Sequence, residues 1–304
     1  MANESSMITH AVEPPDLEAV VSAARARIVA AGDLPHVTVD EQLALLEGLT
    51  EFPMGRFMLV NRGWNGWFTG FAVVYHPTVG REKGADESGR PYTALERRML
   101  ELPLCRATQE RFVVFQRALQ ARVRDGARLG SLPCGLMDDL LSLDFSGVGE
   151  FELVGIDLDA ESLRQAAANA ERRGLFSRAA FRREDGWDRG DDELDVLTSN
   201  GLNTYEPDDA RVVALYRAFR HRIRKGGTLV TSALTTADEW DGTAIDADEA
   251  RLQRILFADV IGVRFSCLRT EAQTRAQLGE AGFEVEDVTY DRARLFPTFV
   301  AKRR

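Results

Sequence analysis

In the first part of the chain, apolar positions recur at helical spacing. After Asp125 they condense into short runs bounded by polar turns. From Asp16 to Ala31, DLEAVVSAARARIVAA carries apolar residues at three- and four-residue steps behind an Asp suited to cap a helix, and Gly32 follows as its stop. A second short helix is expected after Asp40, in DEQLALLEGL. The stretch Phe52–Tyr75 is aromatic and glycine-rich and fits neither a clean helix nor a clean strand. Gly80–Pro91 reads as a charged loop, and Thr93–Arg124 as a long helix broken near Pro103.

Beyond Asp125 the pattern alternates. The runs ARLGSLP, FELVGIDLD, AAFRRED, ELDVLTSNG and GGTLVTSAL predict five strands. Between them, ESLRQAAANAERRG and DDARVVALYRAFRHRIRKGG predict amphipathic helices, the second with Val212, Leu215, Tyr216, Phe219 and Ile223 on one face. Strands alternating with helices imply an α/β fold with a parallel, doubly wound sheet. Thr235–Gly282 is expected to be mostly helical, and FEVEDVTYDRARLFPTFVAKR to form an antiparallel hairpin with a tight turn at the sheet edge. The organisation expected is a flexible, proline-terminated tail over 1–15, a mainly helical region over 16–104, and the α/β domain over 105–304.

Composition narrows the partners. Among 304 residues, 38 Lys+Arg against 48 Asp+Glu give a net charge of −10, which argues against a nucleic-acid or anionic-membrane partner. The three cysteines form no CxxC pair, and the four histidines (His10, His36, His76, His221) show no metal-ligand spacing, so no metal is expected. No apolar run approaches membrane-spanning length and the N-terminus lacks a signal-peptide core. A soluble, cytoplasmic protein is therefore expected.

Ligands of doubly wound sheets bind beyond the carboxyl ends of the strands, and four such ends are polar here. The first carries Ser131-Leu132-Pro133-Cys134-Gly135, where small residues let backbone N–H groups approach a ligand. The second carries Asp157-Leu158-Asp159. Asp157 lies 22 residues beyond Gly135, the spacing at which an acid reaches ribose hydroxyls. The third carries Asp185-Gly186-Trp187, and the fourth Ser199-Asn200-Gly201-Leu202-Asn203-Thr204-Tyr205-Glu206. Each has a plainer role open to it: packing glycine, helix cap or polar turn.

These residues resemble a class I S-adenosylmethionine (SAM)-dependent methyltransferase over roughly the C-terminal 200 residues. The resemblance implies RLGSLPCG as the SAM loop (Ser131, Pro133, Cys134, Gly135), and Asp157 and Leu158 beside the ribose. It places Asp185, Gly186 and Trp187 beside the adenine, and Ser199, Asn200, Asn203 and Tyr205 facing the methionyl arm and the reacting centre. It departs from the family pattern at Leu129, where an acid is usual, and at Ser131 and Pro133, where glycines are. Gln109 and Arg111, on the preceding helix, are candidates for the cofactor's carboxylate, with a solvated helix face as the plainer role.

In the N-terminal region, Trp64, Asn65, Trp67 and Tyr75 are candidates for an aromatic lid over a small ligand or sulfonium, with core packing as the plainer role. Tyr205, His76 and Asp138 are the candidate bases. The expected partner is a small molecule of secondary metabolism, with SAM as methyl donor. SLPCG, SNGLNTYEPDD and the NGW-containing N-terminal segment together also resemble cyclases that consume SAM as substrate to make azetidine-2-carboxylate, and a non-catalytic SAM-binding partner subunit is a third reading.

Overall fold

The computed structural model describes residues 16–265 and 267–304, so the expected tail over 1–15 lies outside the described residues. The chain divides into two compact units. One comprises 16–109 together with 241–265, and the other 110–240 together with 267–304.

The first unit is helical. α1 (Leu17–Ala31) is capped by the Asp16 side chain and ends at Gly32. α2 (Val39–Leu49) starts one residue earlier than the expected segment at Asp40, because Thr38 caps it by accepting from Glu41 N. The aromatic stretch is helical after all: α3 (Pro53–Asn61), α4 (Gly66–Gly70) and a π-helix over Phe71–Gly80. Proline at the start of α3 and the Asn65 cap on α4 are local signals that the density of glycines and aromatics obscured. The first residues of the expected charged loop Gly80–Pro91 are instead helical, in α5 (Arg81–Lys83), and α6 (Ala94–Leu100) opens with a Thr93/Glu96 capping box. α7 (Pro103–Gln120) starts at the expected break, and the division between the units falls within it.

The second unit holds the sheet: β1 (Ala127–Ser131), α8 (Asp138–Leu141), β2 (Phe151–Asp157), α9 (Ala160–Arg172), β3 (Ala179–Arg183), β4 (Leu194–Ser199), α10 (Asp209–Arg222) and β5 (Ile223–Ser232). α11 (Ala247–Arg254) and a π-helix over Ile255–Ile261 belong to the first unit. Leu252, Ile255, Leu256, Phe257, Val260 and Ile261 join the same apolar core as Ile28, Leu46, Leu49 and Met58. Where those side chains bury is a matter of long-range packing, invisible to periodicity. The chain closes with α12 (Glu271–Glu280), β6 (Phe283–Thr289) and β7 (Thr298–Arg303).

Strand order is β3-β2-β1-β4-β5-β7-β6. β1 to β5 pair in parallel, and β7 runs antiparallel between β5 and β6. Alternate strand residues serve opposite faces. Val154, Ile156, Leu194, Leu197 and Leu229 pack with Val212, Leu215, Tyr216 and Phe219 of α10. Leu129, Leu153, Val196 and Val230 pack with Phe115 and Leu119 of α7 and Ala166 and Ala170 of α9. The segment joining β6 to β7 is no tight turn. It spans Tyr290 to Pro297, and the buried Asp291 carboxylate organises it by accepting from the backbone N–H groups of Ala293, Leu295 and Phe296. β6 is the exposed edge and carries Glu284, Glu286 and Asp287, charges that blunt edge pairing.

Candidate functional site

The strand register aligns the polar ends of the second unit. Ser131 stands beside Gly155 on one side and Thr198 on the other, Ser199 beside Thr231, and Ser232 beside Thr298. At about 4.8 Å per strand, β2 to β5 present a polar rim on the order of 14 Å long.

The loop after β1 is held from beneath. Cys134 N donates to Ile156 O at 2.9 Å, and Gly135 N donates to the Asp157 carboxylate at 2.9 Å. Leu132–Pro133 is a cis peptide, and Gly135 adopts positive φ. Asp157, 8% exposed, also accepts from Asp159 N at 3.0 Å. Burial pushes its carboxyl upward against the pull of these N–H groups. Capping of α9 falls to Asp159, which accepts from Glu161 N, Ser162 N and the Ser162 hydroxyl. Asp157 therefore ties one βα loop to the next, with carboxylate lone pairs left over. Cys134 is buried and its thiol is pushed well up by that burial, so it stays protonated.

Sequence reading passed over Asp139. Its carboxylate accepts from the Ser131 hydroxyl at 2.8 Å and from Leu140 N at 3.0 Å, and burial raises it to about 6. A carboxylate from α8 thus reaches the end of β1, whose own residue at the usual acidic place is Leu129. Asp138, the candidate base, instead binds Asn169 at 3.0 Å and Arg173 at 3.2 Å, tying α8 to α9. The signal that could have separated the two is the pair itself: adjacent helical residues face different ways.

The third strand end is fixed by charge. Asp185 accepts from Trp187 N, and the indole N–H of Trp187 donates to Arg211 O at 2.9 Å, with the Arg211 guanidinium above the ring. A Cβ on Gly186 would come within 2.7 Å of Leu202, so this glycine permits a close approach of two loops. Behind it, Arg222 is fully buried and pairs with Asp192 at 2.8 Å and Glu184 at 2.8 Å, while Asp192 also takes Arg182.

At the fourth end, Gly201 has φ 96°, a conformation only glycine adopts comfortably. Asn203 is 3% exposed and its amide nitrogen donates to the Tyr216 hydroxyl and to Ser232 O, both at 3.0 Å. Its donors therefore lock the loop to α10 and β5. Arg269 secures the same loop, bonding Asn203 O, Glu206 O and Asp209. Tyr205 is half-buried and its phenol is raised to about 12 by burial, which keeps it protonated near neutrality. Ser199 is buried at the strand end. Leu158 is half-buried between Asp157 and Asp159. Among the described residues, the enclosed Asn200 Oδ1 has no hydrogen-bond partner, while the Thr198 hydroxyl beside it interacts with the Asp139 carboxylate. An unpartnered group of this kind is costly unless a ligand or water completes it.

Arg111, on α7, is 7% exposed. Its guanidinium lies 4.1 Å from the centre of the Phe296 ring and donates to the Ser232 hydroxyl at 3.3 Å, while its Nε–H is enclosed and unpartnered.

The other candidates belong to the helical unit. Gln109 is satisfied there, donating to Ala72 O and Leu100 O and accepting from Arg81. Trp64 donates its indole N–H to Met58 Sδ at 2.9 Å and packs against the apolar core. Asn65 caps α4. Tyr75 donates to Ala85 O at 3.3 Å. Trp67 is 40% exposed. His76, 1% exposed, bonds Glu101 at 2.7 Å and Tyr92 at 3.4 Å. Burial alone would raise Glu101, but bonds from His76, Arg81 and Arg106 outweigh it and hold the carboxyl down to about 2.

No family model and no curated protein matches this sequence. Among solved structures, a possible exported protein from Bordetella parapertussis is 43% identical, with a TM-score of 0.88 over 94% of this chain and 95% of that one. This chain belongs to its family. The fold of this chain is also similar to that of magnesium protoporphyrin IX methyltransferase from Synechocystis. The TM-score there is 0.51 at 13% identity, over 76% of this chain and 98% of that one. The sheet unit is thus a class I methyltransferase fold, as the strand order and the antiparallel β7 also require. Among the described residues no helix is long and apolar enough to cross a membrane.

Proposed function

We propose that this chain is a SAM-dependent enzyme that transfers the cofactor's methyl group to a small acceptor. The observation that carries the reading is Asp157: a buried carboxylate at the end of β2 that shapes the Gly135 loop while keeping lone pairs for a ribose diol. SAM brings the activated methyl carbon. The protein's task is to hold donor and acceptor in line and exclude water. In this reading Asp185 and Trp187, on the loop after β3, would meet an adenine, and Thr198 Oγ1 and Asn200 Oδ1 would offer acceptors to the methionyl arm. The lid role of Trp64, Asn65, Trp67 and Tyr75 belongs to the same proposal. The acidic net charge favours a small-molecule acceptor over nucleic acid.

One observation favours a second reading. Thr198 Oγ1 and Asn200 Oδ1 are neutral acceptors, suited to an uncharged amine. In that reading the cofactor's own nitrogen attacks its Cγ, the Cγ–S bond breaks, methylthioadenosine leaves with the electron pair, and the nitrogen sheds its proton to solvent. Incubation with SAM alone, followed by mass spectrometry, separates the two. Methyl transfer yields almost no adenosylhomocysteine until an acceptor is added, whereas cyclisation releases methylthioadenosine and azetidine-2-carboxylate at once.

Three cysteines without disulfides, two of them buried, suit a reducing compartment, and on that ground we place the enzyme in the cytoplasm. The relative's name, a possible exported protein, points the other way. Cell fractionation with an antibody to this chain decides between them.

A further inference from the structure

Among the described residues of the sheet unit three arginines are buried: Arg111, Arg222 and Arg269. Arg222 is paired with Asp192 and Glu184, and Arg269 with Asp209. Arg111 forms no ion pair with any described carboxylate. The largest charge interaction on it is with Asp291, whose oxygens accept from the backbone N–H groups of Ala293, Leu295 and Phe296. The Tyr205 phenol is the other titratable group whose charge reaches it.

Of five N–H donors on a guanidinium, Arg111 uses one among the described residues, on the Ser232 hydroxyl, and its Nε–H is enclosed without a described acceptor. Ring contact with Phe296 fixes the plane of the group. Burial, only partly offset by the Asp291 charge, lowers its affinity for the proton to about 10, which still leaves it a cation at neutral pH. A planar cation with an open donor edge, oriented by an aromatic face and a hydroxyl, matches the geometry of a carboxylate.

We propose that Arg111 is the receptor for a ligand carboxylate at the carboxyl end of β5, between Ser232 and the Phe296 ring. The proposal rests on the SAM reading for one of its two sources, the methionyl carboxylate of the cofactor. The other source is a carboxylate on the acceptor, since β5 lies three strands from the Asp157 end of the rim.

Calorimetric titration distinguishes them. In the first arm the wild type, Arg111→Met and Arg111→Lys are titrated with adenosylhomocysteine, with its decarboxylated aminopropyl analogue and with methylthioadenosine. If the cofactor supplies the carboxylate, the wild type binds adenosylhomocysteine about tenfold or more tightly than the analogue. Arg111→Met then binds the two alike, Arg111→Lys falls between, and methylthioadenosine affinity does not change. A merely structural arginine would weaken all three ligands together.

In the second arm acetate, succinate and benzoate are added to protein saturated with adenosylhomocysteine and followed by NMR. Binding by the wild type that is lost in Arg111→Met assigns the carboxylate to the acceptor. The proposal is overturned if the wild type does not distinguish adenosylhomocysteine from its decarboxylated analogue and no added carboxylate binds in an Arg111-dependent way. The wild-type comparisons stand even where a variant does not fold. Should the wild type bind neither adenosylhomocysteine nor methylthioadenosine, the SAM reading fails, and the carboxylate arm run on unliganded protein still decides the role of Arg111.

Discussion

Replacing Asp157 by alanine removes the acceptor of two backbone N–H groups, Gly135 N at 2.9 Å and Asp159 N at 3.0 Å, from a residue only 8% exposed. A hydrogen bond to a charged group contributes about 1.5–3 kcal/mol. Two of them, offset by relief from burying the charge, give a net loss of about 2–3 kcal/mol. In a unit of this size each kcal/mol shifts the melting temperature by about 2–4 °C, so Asp157→Ala should melt about 4–12 °C lower. Asp157→Asn keeps one acceptor oxygen and should lose roughly half as much. Under the SAM reading the same carboxylate holds the ribose diol, and adenosylhomocysteine affinity should fall by about tenfold or more in the alanine variant. Differential scanning fluorimetry without ligand reads the first effect, and calorimetric titration reads the second. A variant that melts within about 1 °C of the wild type would refute the loop-clasp argument. An unchanged Kd for adenosylhomocysteine would remove Asp157 from the ligand site.

Asp139 gives the fold a pH signature. Its carboxyl is raised from 3.8 to about 6 by burial, so between those values the folded protein holds more protons than the unfolded chain and stability falls as pH rises, levelling off above about 6. Asp139→Asn should therefore melt above the wild type at pH 7.5 and converge with it near pH 4, and parallel curves at both pH values would discount the raised carboxyl. Asp192→Ala leaves the fully buried Arg222 with Glu184 as its remaining carboxylate and frees Arg182, and should cost about 1.5–3 kcal/mol, read by urea unfolding. Trp67 is 40% exposed, so Trp67→Ala should leave the melting temperature nearly unchanged. If the lid proposal holds, its turnover drops at the same time, and unaltered turnover would remove Trp67 from the active site.

The chain's own pattern determined the sheet and the positions of its polar ends. β1 to β5 run together with α9 and α10 because a strand buried on both faces must be an apolar run, and a covering helix must carry a 3.6-residue stripe. The spacing from Gly135 to Asp157 was legible for the same reason: it is local to one βα unit. Helices α3 and α4 were missed because glycines and aromatics hide a capped helix whose stability comes from packing. Only the tertiary structure assigned residues 241–265 to the helical unit, since their apolar face is buried by residues two hundred positions away. It alone separated Asp139 from Asp138, and turned the amide donors of Asn203 inward to Tyr216 and Ser232. It also left Arg111 without the carboxylate that its two buried counterparts have. Partnering of a buried charge depends on which groups long-range folding brings within hydrogen-bond reach, and nothing in sequence spacing encodes that distance.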